Sequence, residues 1–170
     1  MMNPLDLAHT NRIALDDPLT DGRQSETALK VWRGAARLMR LQGFACLPEL
    51  TLASGRRADL IALGPKHEII IIEVKSSIAD LRADNKWPDY RAHCDRLYFV
   101  THVDVPAEIF PEDAGLILSD GYAADILREA PHHPLAAATR KAVTSRFARQ
   151  AALRLHDLLD PDARAIASVL

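Results

Sequence analysis

The sequence predicts an α/β protein: a central mixed sheet flanked by helices, with a helix before the first three strands, a helix before the fourth, and a long C-terminal helix. Three observations carry this. Glu68–Lys75 contains four consecutive isoleucines, a β-branched run that suits a strand covered on both faces. Arg57–Leu63 alternates with the period of a half-buried strand, placing Asp59, Ile61 and Leu63 on one face. Segments of helical period stand on either side, from Ser25 to Gln42 and from Pro134 to Leu159.

Taken in order, residues 1–20 have no sustained period and contain Asp16, Asp17 and Pro18, which reads as a flexible arm ahead of a single domain over 21–170. The first helix takes Asp21 or Ser25 as its cap. It carries Ala28, Trp32, Ala35 and Met39 on one stripe and stops at Gly43. Phe44–Ala53 reads as the first strand, with Leu50 and Leu52 on one side and Glu49 and Thr51 on the other. Arg57–Leu63 and Glu68–Lys75 follow as a hairpin around Gly64-Pro65-Lys66. Ser77–Asn85 is helical, and a second helical piece restarts over Lys86–His93, with Pro88 in its first turn. Leu97–Thr101 is a short buried strand, parallel to the third because the connection is long enough to cross over. Pro106–Phe110 makes one helical turn. Gly115–Ser119 and Tyr122–Leu127 pair around Asp120-Gly121. This places the core at about 24–128 and the final helix at about 134–160, apolar at Val143, Phe147, Ala151, Leu155 and Leu158.

Composition narrows the function classes. With 48% apolar and 26% charged residues, the chain has the balance of a soluble globular protein. No apolar run reaches the roughly 20 residues that span a bilayer, and the N-terminus lacks the basic-then-apolar pattern of a secretory signal. A membrane partner is therefore not expected. Cys46 and Cys94 lack ligand spacing and read as free thiols of a reducing, cytoplasmic setting. A zinc site from these two and His93 is the weaker alternative. The net charge of −2 excludes binding to nucleic acid through an overall basic field, so any such contact must come from a confined basic stripe.

The candidate site follows from register. If the loop between the second and third strands is Gly64–Glu68, Leu63 faces Ile69, Asp59 faces Glu73, and Arg57 faces Lys75. Two carboxylates facing each other across a strand pair repel, whereas a divalent cation between them makes the same arrangement favourable. Glu73 and Lys75 share a face by the strand period of 2, so Asp59, Glu73 and Lys75 converge on one point.

An Asp separated by thirteen residues from E-x-K, here Ala58-Asp59 and Glu73-Val74-Lys75 in an α-β-β-β-α-β order, resembles the PD-(D/E)XK nuclease superfamily. The resemblance covers roughly 24–101 and departs at Ala58, where the family usually has proline. GRRADLIAL, IIEVKSS, KWPDY, CDRLYFV and the arginine-rich final helix more closely resemble the bacterial MmcB-like DNA-repair family, across nearly the whole chain. These resemblances imply a restriction-endonuclease-like core and a metal-dependent DNA endonuclease acting in repair, with DNA and other repair proteins as partners. They place Mg²⁺ or Mn²⁺ on Asp59, Glu73 and the Val74 carbonyl, with Lys75 orienting the attacking water. Glu26 would complete the metal shell, although an acid in a first helical turn is favoured by the helix dipole alone; Glu49 is its rival. Lys86 and Tyr90 would support the site. Arg56, Arg57 and Arg82 are candidate phosphate contacts, as are Arg140, Lys141 and Arg149 on the final helix, whose basic face also holds Arg146 and Arg154. Two alternatives stay open: a catalytically silent DNA-binding scaffold with the same fold, and a nuclease directed at RNA.

Overall fold

The computed structural model describes residues 25–162; the arm expected over 1–20, and Asp21 as a cap, lie outside them. The first helix, α1 (Glu26–Leu41), is capped by Ser25, whose hydroxyl accepts the Ala28 N–H at 3.1 Å. It stops where Gly43 takes a φ of 86°, a conformation that glycine adopts without strain. Ala28, Val31, Ala35 and Met39 are buried, while Trp32 is half-buried at the rim.

The strands are β1 (Ala45–Thr51), β2 (Arg57–Leu63), β3 (Ile69–Val74), β4 (Arg96–Thr101), β5 (Gly115–Ser119) and β6 (Ala124–Arg128). They form one six-stranded sheet in sequence order. The first three pair antiparallel, β3–β4 and β4–β5 are parallel, and β5–β6 is antiparallel. The sheet is mixed, as expected. α2 (Ile78–Ala83) and the segment Trp87–His93 make the crossover from β3 to β4. That second segment is a 3₁₀ helix rather than an α-helix, as is the turn Ala107–Ile109.

The isoleucine run does what its β-branched, unbroken character predicts. Ile70 and Ile72 pack with α1 and with Leu60 and Ala62. Ile69 and Ile71 pack on the other face with Ile61, Tyr90 and Cys94. That second face is covered by α3 (Ala137–Leu159) through Val143 and Phe147. The final helix begins three residues later than its periodicity suggests, because the preceding chain is pinned. Leu135 N–H donates to the Asp95 carboxylate at 3.0 Å, and His133 N–H to the Asp95 carbonyl at 2.8 Å. Its apolar stripe is buried only in the first half, since Leu155 and Leu158 are exposed. No helix among the described residues is long and apolar enough to cross a membrane.

One irregularity bears on the site. Leu50 and Leu52 share a face as expected, but Leu47 joins the same cluster. The alternation therefore slips by one between 47 and 50, where Glu49 takes a φ of 52° and no pair is formed between Pro48↔Leu60 and Leu50↔Ala58. That gap lies opposite Asp59.

Candidate metal and nucleic-acid site

The β2–β3 ladder has the expected register, from Leu63↔Ile69 to Leu60↔Ile72. One step beyond the last pair, Asp59 and Glu73 meet. The Asp59 N–H donates to Glu73 Oε1 at 3.3 Å, and the Val74 N–H donates to Asp59 Oδ2 at 2.8 Å. Each carboxylate thus sits on the backbone of the other's strand. The meeting point is the end of the sheet's interior strands and not a lateral edge, because Glu73 pairs with Phe99 of β4 on its other side.

Glu73 is only 3% exposed. Burial first, and then the Asp59 charge, push its pKa well above the ordinary glutamate value. Burial raises Asp59 to about 6, against the lowering effect of the Val74 N–H and Lys75, with Glu49 and Asp80 adding repulsion. Two adjacent carboxylates that both resist ionising are a local conflict that a cation would relieve.

Lys75 lines the same cleft, of about 620 Å³, and is 6% exposed. Its ammonium lies 2.6 Å from the carboxylate of Asp84. Burial pulls the Lys75 pKa down, but the Asp84 hydrogen bond and charge, backed by Glu73 and Asp80, hold it above the usual lysine value. Asp84 was not among the residues singled out from sequence. It closes α2 as its C-cap and also accepts the Lys86 N–H at 2.8 Å. Asp80 lines the cleft too, one turn earlier on α2, where it accepts the Ser76 N–H while Ser77 caps the helix. A carboxylate pair four residues apart directly after E-x-K was the signal available for both.

The other expected residues divide. Tyr90 is buried at the cleft wall and donates its hydroxyl to the Arg57 carbonyl at 3.0 Å. The Lys86 side chain lies at the mouth. Arg56 and Arg57 reach the cleft but hold Asp89 and Glu49 respectively. Arg82 is exposed on α2, outside the cleft lining. Glu26 stands at the end of α1 whose Ser25 and Ala28 border the cleft, yet its own side chain is exposed and paired with Lys30 at 2.8 Å. Glu49 lies nearer to Asp59, because the slip in β1 turns it toward that strand end, where its charge acts on Asp59.

On α3, Arg140 is not a free phosphate contact. It holds buried Asp95 with two hydrogen bonds of 2.6 and 2.7 Å, and Asp95 also accepts the Ile69 and Leu135 N–H groups. Arg154 likewise reaches back to the carbonyls of Pro48 and Glu49, bracing the slipped strand. Lys141 and Arg149 remain exposed. Cys46 and Cys94 cannot share a zinc ion: Cys46 packs on the α1 face of the sheet and Cys94 on the α3 face. Burial raises both thiols, to about 11 and about 12.

A family model described as DNA repair protein MmcB-like matches residues 15–162. The chain belongs to that family. The chain is also similar to a solved structure, the SPO1766 protein from Silicibacter pomeroyi, described as of unknown function. It is 43% identical, with a TM-score of 0.78, and the match covers 82% of this chain and 95% of that one. No curated protein matches the chain. The MmcB-like chain thus carries a facing carboxylate pair, Glu73 buried and Asp59 half-buried, in a repair family. Among its described residues no group of three or more His, Cys, Asp or Glu is arranged to hold a metal ion.

Proposed function

We propose that this MmcB-like protein is a metal-dependent DNA endonuclease of the PD-(D/E)XK kind, working at the cleft between β2, β3 and α2. The observation that carries this reading is the facing pair at a strand end, Glu73 buried and Asp59 half-buried, with both carboxyls pushed up. A purely structural sheet has no use for such a pair.

The donor set fits a hard cation. Asp59, Glu73 and the Val74 carbonyl offer oxygen alone and leave room for several waters, as Mg²⁺ or Mn²⁺ requires. A divalent ion there supplies positive charge for phosphate oxygens and makes a water more acidic. The chain's own groups do the rest. Lys75 presents its ammonium at the cleft, where it stabilises negative charge that builds up on the phosphate. Asp84 keeps that ammonium charged and fixed in place. Tyr90 and the apolar β3 wall exclude water behind the carboxylates, which strengthens each of these interactions.

A second reading has its own observation. Lys75 and Asp84 satisfy each other without any metal, as they would in a silent scaffold that keeps the fold and binds DNA. Incubating plasmid and oligonucleotide DNA with Mg²⁺ or Mn²⁺ separates the two. Cleavage by the wild type that is lost in both Asp59→Ala and Lys75→Ala supports the nuclease; intact DNA under every metal condition supports the scaffold.

A further inference from the structure

The outer face of α1 carries a group of residues that the cleft does not use. Lys30, Arg33, Arg37 and Arg40 recur three and four residues apart, so they form one stripe, on the side opposite to the buried Ala28, Val31, Ala35 and Met39. The acid on that stretch, Glu26, pairs with Lys30 between exposed side chains, a contact of little strength. The stripe concentrates basic side chains in a chain of net charge −2.

The turn between β5 and β6 lies directly against the stripe. Gly34 allows the approach, since a Cβ there would collide with the Ser119 hydroxyl and the Ala123 carbonyl. The turn sets Tyr122 beside Arg37, whose guanidinium donates to the Tyr122 carbonyl at 2.8 Å and sits 4.5 Å from the ring centroid. Tyr122 is nevertheless 74% exposed and the neighbouring Leu41 87% exposed. Both line a shallow groove with Arg37 and Arg40. An exposed ring braced among arginines suits a single nucleic-acid strand: the ring stacks on an unpaired base and the guanidinium groups neutralise phosphates. A duplex keeps its base faces stacked and offers Tyr122 nothing.

The helix that carries the stripe also borders the cleft at its N-terminal end. Ser25 and Ala28, in the first turn of α1, border the carboxylate cleft, and the basic residues run away from it along the helix. From Ser25 to Arg40 the helix advances about 22 Å at 1.5 Å per residue, enough for several nucleotides. We propose that the α1 stripe and Tyr122 bind single-stranded nucleic acid and hold the strand that leads away from the acidic cleft. The proposal rests on reading that cleft as the DNA site.

Fluorescence anisotropy with labelled oligothymidylate and with a hairpin duplex, in EDTA across a salt series, tests this. Tyr122→Ala should weaken single-strand binding about tenfold, the weight of one stacked base, and leave duplex binding unchanged. The Arg33→Ala/Arg37→Ala/Arg40→Ala variant should flatten the log–log salt slope by about 2, at roughly 0.7 per phosphate contact. If that variant melts at a lower temperature than wild type, the matching glutamine triple replaces it. Wild-type affinity and slope in both variants would overturn the proposal. So would equal losses on duplex and single strand, or a slope that responds only to Lys141→Ala/Arg149→Ala on α3. Because no metal is present, binding through α1 without any cleavage in Mg²⁺ would count against the nuclease reading alone.

Discussion

The ammonium of Lys75 is held by Asp84 at 2.6 Å, although the strand period puts Lys75 on the same face as Glu73. Glu73 is therefore not the salt-bridge partner of Lys75. Its carboxylate reaches the Asp59 N–H instead. This separates the cleft into a carboxylate pair without a cation of its own and an ion pair that is already satisfied.

The ion pair should behave as a buried one. Asp84→Asn leaves Lys75 uncompensated and is expected to destabilise the protein by about 3 kcal/mol, read from urea unfolding. In a double-mutant cycle with Lys75→Met, the coupling should exceed about 1 kcal/mol. Additive losses would show that the two side chains do not depend on each other.

The carboxylate pair should behave in the opposite way. Glu73→Gln keeps the shape of the side chain and removes one of two facing acids, so it should stabilise the metal-free protein by about 1 kcal/mol at pH 8. Loss of stability in EDTA would mean that Glu73 has a cationic partner in solution.

The fold and the pair were legible in the sequence for the same reason. Strand period and loop length determine which residues face one another, and four isoleucines mark β3 as the strand covered on both faces. The slip at Glu49 was not legible, since a positive φ at a non-glycine residue has no compositional signature. Asp95 was missed because its partners lie far away in sequence. Asp95 ties β3, α3 and the chain before α3 together, and nothing near Asp95 itself announces those partners. The charge of the α3 arginines suggests a DNA face, but charge does not distinguish a solvated arginine from one that holds the fold.

The role of Arg140 follows from that distinction. Arg140→Ala strands the buried Asp95 carboxylate and should cost about 3 kcal/mol, whereas Lys141→Ala, one residue on, should stay within about 0.5 kcal/mol. Thermal melts of the two variants check this; equal melting temperatures would remove Arg140 from the frame of the fold.

The pH dependence has a definite sign. The folded-state pKa of Asp59 is about 6 against an ordinary value of 3.8. Protonation therefore favours the folded, metal-free state. The stability it contributes is fully present below about pH 3.8 and is lost as pH rises through about 6. Relative to Asp59→Asn, the wild type in EDTA should gain stability between pH 7 and pH 5. The same proton competes with a cation, so divalent-metal affinity should fall over that interval. A wild type that loses stability relative to Asp59→Asn on acidification would show that Asp59 is ionised and paired.

Isothermal titration of Mn²⁺ into the wild type, Asp59→Ala and Lys75→Ala at pH 7.5 tests the central claim most directly, because it asks whether the facing carboxylates hold a cation. The account predicts saturable binding of one ion with proton release in the wild type, retained binding in Lys75→Ala, and none in Asp59→Ala. A wild type that binds no Mn²⁺, or binds it equally well without Asp59, would contradict it.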